Sequence, residues 1–156
     1  MDLETFNAAA PPEATALLVS CCAPRRFAAA VAGGRPYPSP AALDDAVSVA
    51  FESLSWDEIL EAMAAHPRIG VRADGRSASE QAGVADSDRA ALAAANADYE
   101  ARFGHVFLIC ASGLTGAQML AELRARLDNT PDTERIVATR ELAKITVLRV
   151  RKALAS

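Results

Sequence analysis

The sequence is poor in the groups from which most reactive centres are built: its 156 residues hold two histidines, three cysteines and one tryptophan. No Cys-x-x-Cys, His-Glu-x-x-His or carboxylate-rich loop has metal-ligand spacing, so no metal is expected. There is no Gly-x-Gly-x-x-Gly and no Walker-type Gly-Lys-Ser/Thr, the cradles on which nucleotide phosphates rest, and no Gly-x-Ser-x-Gly nucleophile elbow. A basic surplus is also missing. The net charge is -4, with 16 basic and 20 acidic residues, which argues against nucleic acid as a partner. No apolar run approaches the roughly 18 residues needed to cross a bilayer, and no basic stretch followed by an apolar one marks a secretory leader. Cys21, Cys22 and Cys110 are odd in number and two are adjacent, a spacing that suits an ordinary disulfide poorly. The expectation is a cytoplasmic protein in a reducing compartment, with no membrane partner.

What is present is apolar and rich in alanine. Hydrophobic residues make up 51% and charged residues 23% of the chain, which excludes wholesale disorder and favours helices over sheets. The length suits one domain over residues 1–156 with a single core. Prolines and glycines then divide the chain. Two short helices are predicted over 11–33, interrupted by Pro24 and stopped by Gly33-Gly34, with a loop over 33–40. A third runs from 39 or 40 to about 53 with Leu43, Val47, Ala50 and Phe51 as its apolar stripe. Ser55-Trp56-Asp57-Glu58 is a capping box opening the next, with Ile59, Leu60 and Met63 as core positions.

That helix must stop near His66, because Pro67 disfavours the α conformation in the residue before it. Residues 67–86 form a polar stretch, long for an idle connection and of a length that marks functional or disordered segments. A long helix over Asp86–Phe103 is stopped by Gly104 and places Leu92, Asn96, Tyr99 and Phe103 on one side. The apolar run 106–111 reads either as extended chain or as a buried linker. Thr115-Gly116-Ala117-Gln118 is a second capping box, and Thr130-Pro131 opens a last helix. The fold class predicted is all-α, a helical bundle of about seven to eight helices.

By elimination the candidate proton-transfer group is His66, since imidazole alone titrates near neutrality without perturbation. The residue can equally serve only as a cation at a helix C-terminus. Ser77, Glu80 and Gln81 follow in the polar stretch, either as substrate contacts or as a solvated loop. Arg149 shares a helical face with Ile145, Leu142 and Ala138; a guanidinium within such a stripe either binds a planar anion or ureido-like group, or forms an internal salt bridge with Glu100 or Glu141.

In order and spacing, several segments together resemble the family of 2-oxo-4-hydroxy-4-carboxy-5-ureidoimidazoline (OHCU) decarboxylases. These are Phe6-Asn7, Phe51, the Trp56 segment, His66-Pro67-Arg68-Ile69-Gly70, Ser77-Ala78-Ser79-Glu80-Gln81 and the run from Asn96 through Tyr99 to Gly104. They continue with Phe107-Leu108-Ile109-Cys110, Arg126-Leu127-Asp128-Asn129, Glu134, Glu141-Leu142-Ala143-Lys144-Ile145 and Leu148-Arg149. The resemblance implies an all-α homodimer that decarboxylates OHCU to (S)-allantoin in urate degradation, with no cofactor.

It assigns catalytic roles to His66 and Glu80, and substrate contacts to Pro67, Ser77, Gln81, Arg149 and the backbone of the segment bearing Phe107 and Ile109. The lead-in between Gly70 and Ser77 is shorter than in many relatives, so Ser79 is the alternative to Ser77. Some relatives carry a fused 5-hydroxyisourate hydrolase domain, which this chain is too short to hold. Two other readings stay open: a hydrolase acting on a related ureide ring, and a non-catalytic helical interaction module.

Overall fold

The computed structural model describes residues 1–66 and 86–155. Eight α-helices and no strand occur among the described residues: α1 (Leu3–Ala8), α2 (Pro11–Cys21), α3 (Arg25–Gly33), α4 (Pro40–Glu52), α5 (Trp56–Ala64), α6 (Asp86–Phe103), α7 (Gly116–Arg126) and α8 (Pro131–Ala153). The all-α expectation holds. No helix among the described residues is long and apolar enough to cross a membrane. The chain forms two compact units, Met1–Ala62 with Ala143–Ser156, and Met63–Leu142.

In the first unit local chemistry sets the helix ends. Pro11 and Pro40 open α2 and α4, where a missing backbone N–H costs nothing, and Ser39 Oγ accepts from the Ala42 N–H at 3.2 Å. The predicted stripe of α4 is buried as expected, and Phe51 meets Phe27 of α3 with ring centroids 5.3 Å apart. Helix α1 is absent from the sequence-based reading: six residues carry too little periodicity to register. It is held from outside. Asp2 caps it by accepting from the Thr5 N–H at 2.8 Å, and Arg35 Nη1 donates to the carbonyls of Phe6 and Ala9, both at 2.7 Å. Asn7 exchanges two hydrogen bonds with the Tyr37 backbone, fixing the 33–40 loop against it.

The Ser55–Glu58 capping box is formed, with the Ser55 N–H donating to Glu58 Oε1 at 3.0 Å and the Glu58 N–H to Ser55 Oγ at 3.2 Å. Glu58 also accepts two hydrogen bonds from Arg26, at 3.0 and 2.7 Å. Arg26 first, and the Ser55 donors after it, hold the Glu58 carboxyl well below the usual carboxylate range, at about 2. Ile59 and Met63 are buried as predicted, but Leu60 is only half-buried; Ala62 takes the core position instead, because the inward face falls on positions 59, 62 and 63.

In the second unit α6 and α7 pack around Leu92, Tyr99, Phe107, Met119 and Leu123, all fully buried. Gly104 ends α6 with φ 79°, a left-handed conformation that suits glycine, and its N–H donates to the Glu100 carbonyl at 2.8 Å. The Thr115–Gln118 capping box is formed at 2.9 and 3.1 Å. Next to it Gly116 lies so close to Asp88 of α6 that a Cβ on it would meet Asp88 Oδ2 at 2.6 Å and Asp88 Cβ at 2.9 Å. The open reading of 106–111 resolves to an irregular buried segment.

Two outcomes follow. Gly116→Ala forces Asp88 and α6 outward and lowers stability by about 1–3 kcal/mol in urea unfolding; an unchanged midpoint shows that the close approach is unnecessary. Glu58 has a folded pKa depressed from 4.5 to about 2, so its stabilising contribution is complete above 4.5 and disappears as pH falls toward 2. The melting-temperature gap between wild type and Glu58→Gln therefore closes over that window, whereas a constant gap contradicts the pairing.

Candidate active site

His66 stands two residues beyond the end of α5, where the chain closes a last tight turn: its N–H donates to the Met63 carbonyl at 3.0 Å. Its side chain is half-buried. The placement of His66 at a helix C-terminus is thus as predicted. Pro67, Ser77, Glu80 and Gln81, with the alternative Ser79, lie outside the described residues.

Phe107 and Ile109 are buried on one irregular segment of the second unit, to which His66 also belongs. Arg149 belongs to the first unit, where it is buried on α8. Its stripe is as predicted, since Ala138, Leu142 and Ile145 are buried as well. Near it lies Cys22, which hydrogen-bonds Thr146. Burial pushes the Cys22 thiol up to about 12, against the opposing pull of Thr146 and of the Arg149 charge. At neutral pH this cysteine stays protonated and is no nucleophile. None of the three cysteines is in a disulfide.

A polar centre that sequence reasoning did not assign sits against Phe107 and Leu108. Glu134, on the first turn of α8, is fully buried, and Arg126, at the end of α7, is 4% exposed. Arg126 Nε donates to Glu134 Oε1 at 2.7 Å, and Nη2 lies 2.5 Å from the same oxygen. The Tyr99 hydroxyl donates to Glu134 Oε1 at 2.6 Å and Asn129 Nδ2 to Oε2 at 3.0 Å. Burial first, and this bond second, push the Tyr99 hydroxyl far upward, so it remains a donor at any physiological pH.

Arg126 Nη1 completes the arrangement by donating to the Leu108 carbonyl at 2.7 Å, with its guanidinium 4.4 Å from the Phe107 ring centroid. Two residues further on, the Cys110 N–H donates to Glu141 Oε1 at 3.2 Å. A signal for Arg126 was present in the sequence, because it continues the buried stripe of Met119 and Leu123 along α7. Among the described residues no group of three or more His, Cys, Asp or Glu side chains is arranged to hold a metal ion.

Comparison with known proteins gives a consistent picture. The family model described as OHCU decarboxylase matches residues 7–151. The uric acid degradation bifunctional protein TTL of Arabidopsis thaliana is 37% identical over 144 residues, which cover 85% of this chain and 44% of that protein. This chain therefore spans less than half the length of that relative. The 2-oxo-4-hydroxy-4-carboxy-5-ureidoimidazoline decarboxylase of Amia calva is 33% identical over 134 residues, 79% of this chain and 77% of the relative. A crystal structure of an OHCU decarboxylase in the presence of (S)-allantoin is similar with a TM-score of 0.76 at 35% identity, over 88% of this chain and 96% of that one. A crystal structure of (S)-allantoin synthase has the same TM-score at 19% identity, over 99% of this chain and 54% of that one, a likeness in fold alone.

The buried pair makes its own demand on stability. Arg126→Met leaves the Glu134 carboxylate buried without its cation, and the expected loss is about 3–5 kcal/mol in urea unfolding. Tyr99→Phe removes one neutral donor and costs about 1–3 kcal/mol. Equal losses for the two variants would contradict the ranking of charge over hydroxyl.

Proposed function

This chain belongs to the OHCU decarboxylase family, and we propose that it catalyses the cofactor-independent decarboxylation of OHCU to (S)-allantoin in urate degradation. The match of the family model over 7–151 carries this reading, supported by the 35% identical OHCU decarboxylase crystallised with (S)-allantoin. The substrate's chemistry makes the reading self-sufficient. The carbon that loses carbon dioxide also bears a hydroxyl and adjoins an imine-like ring carbon, so the electrons of the breaking C–C bond pass into the ring without an added electron sink.

On this reading the protein's task is to orient and to move a proton. His66 deprotonates or hydrogen-bonds the hydroxyl, with Pro67 limiting the freedom of the chain that carries it. Glu80 is the second catalytic group, and Gln81 with Ser77 holds polar ring or ureido atoms. The scissile carboxylate is then turned out of the ring plane, into alignment with the π system. Arg149 receives an anionic or carbonyl oxygen through its planar fork. Residues 107–110, with Phe107 and Ile109, line the site. Protonation from one face gives a single enantiomer. We further propose that residues 1–156 act as one domain, as a homodimer in the cytoplasm, in keeping with the family resemblance.

Freshly generated OHCU, followed by carbon dioxide release and circular dichroism, tests the proposal. His66→Asn is expected to lower turnover by about 10²- to 10⁴-fold with an unchanged melting temperature. Wild-type turnover in that variant removes His66 from the mechanism, and ring opening without carbon dioxide release makes the protein a ureide hydrolase. Arg149→Ala is expected to raise KM at constant stability; a fall in melting temperature with KM unchanged assigns Arg149 to an internal ion pair instead.

A further inference from the structure

Thr146 and Arg149 are both buried in the first unit, at 0% and 8% exposure, and stand three residues apart on α8. At 3.6 residues per turn that spacing puts them about 60° apart around the axis, on one face. Helix α2 ends against this face at Cys22. The Cys22 backbone N–H donates to the Leu18 carbonyl at 2.9 Å, and the chain leaves the helix there in an extended conformation. The Cys22 side chain is 3% exposed and hydrogen-bonds Thr146, within reach of the Arg149 charge.

A second tie holds the same stretch of α8 from another side. Arg151, two residues past Arg149 and about 160° from it around the axis, donates to Asp44 Oδ2 of α4 from Nε at 2.9 Å and from Nη2. The turn that carries Arg149 is therefore fixed against rotation by α2 through Thr146 and by α4 through Arg151. The two ties differ in weight. The Asp44–Arg151 pair is open to solvent on the arginine side, with 59% of that side chain exposed, and such pairs contribute little. The Cys22–Thr146 bond is buried, where a partner left unbonded carries the full cost of its desolvation.

Threonine is stiff at χ1 in a helix, so once its hydroxyl bonds Cys22 the side chain forms a fixed wall. Arginine has several rotatable bonds and loses that freedom when it grips a ligand, unless its surroundings have already ordered it. We infer that Thr146, through its bond with Cys22, is a positioning residue for Arg149, the pair holding the guanidinium ready for the substrate oxygen. The inference rests on the decarboxylase reading, in which Arg149 receives that oxygen. Cys22 suits the place because its thiol is protonated at neutral pH and so sets no negative charge against Arg149 in competition with the substrate. The effect falls on binding, since a side chain ordered in advance lowers the cost of forming the complex and leaves the chemical step as it is.

The test compares Thr146→Val, which removes the hydroxyl, with Thr146→Ser, which keeps it, and with Cys22→Ala, which removes the partner. Steady-state constants for freshly generated OHCU are measured on the full chain, corrected for the folded fraction, in the wild-type and Arg149→Ala backgrounds. In the wild-type background Thr146→Val and Cys22→Ala are each expected to raise KM about five- to tenfold with kcat within about twofold, and Thr146→Ser to hold KM within about twofold. In the Arg149→Ala background Thr146→Val is expected to add nothing, because its effect passes through the guanidinium. A lowered melting temperature with KM unchanged makes the pair a packing feature and overturns the inference, as does an equal rise in KM in both backgrounds. Wild-type KM in Arg149→Ala overturns it together with the role given to Arg149. An inactive wild type overturns the decarboxylase reading itself, and the inference with it.

Discussion

The buried Arg126–Glu134 pair is the constraint around which the second unit is arranged. Two charges removed from water recover their desolvation cost only where the geometry is good and further hydrogen bonds serve the remaining donors and lone pairs. Here that requirement reaches into four stretches of chain: Tyr99 on α6, Leu108 on the irregular segment, Asn129 in the turn after α7, and Glu134 itself on α8. The aromatic rings follow suit. Phe107 lies against the guanidinium at 4.4 Å and meets Tyr99 edge-on at 5.3 Å, so the apolar core is packed about a polar centre. An apolar pair of the same volume would have no reason to choose one backbone carbonyl of one segment. The ion pair supplies direction, and the surrounding apolar side chains supply the burial.

Helix ends were the most legible part of the chain because their chemistry is local. Ser55 with Glu58 and Thr115 with Gln118 satisfy each other's backbone donors within four residues, and Gly104 adopts its left-handed conformation where periodicity ends. Each of these can be read without knowing what lies across the core. Helix α1 could not be read in this way. Its stability comes from Arg35 and the Tyr37 backbone, about thirty residues away in the chain, and no window of six residues contains that information.

The same division separates the legible from the illegible in the candidate site. His66 was found by elimination and by the proline that follows it, and Arg149 by its place in an apolar stripe, both local signals. Arg126 sits in a stripe of equal quality with Met119 and Leu123, yet what distinguishes it is its partner, and partner choice is tertiary. Ile109 is harder still. Its side chain is an ordinary buried aliphatic group, and the hydrogen bonds that tie the segment are made by the backbone of the residues on either side. Sequence motifs name side chains, so a contribution made by a peptide bond leaves little trace beyond a run of apolar residues.

This matters for a reaction in which the substrate carries its own electron sink. Where a cofactor performs the hard chemistry, a protein must position both cofactor and substrate; where the ring itself receives the electrons, orientation of the scissile bond against the π system is the main task left. Orientation is best supplied by groups with few internal freedoms. A peptide N–H and C=O have none once their neighbours are tied, whereas a glutamine or serine side chain must first be ordered. The Arg126–Glu134 pair supplies fixed geometry of this kind within the second unit, where Arg126 holds the Leu108 carbonyl in place. The charges of Arg126 and Glu134 are kept dry among Tyr99, Phe107 and Leu108, where a fixed geometry has its largest effect.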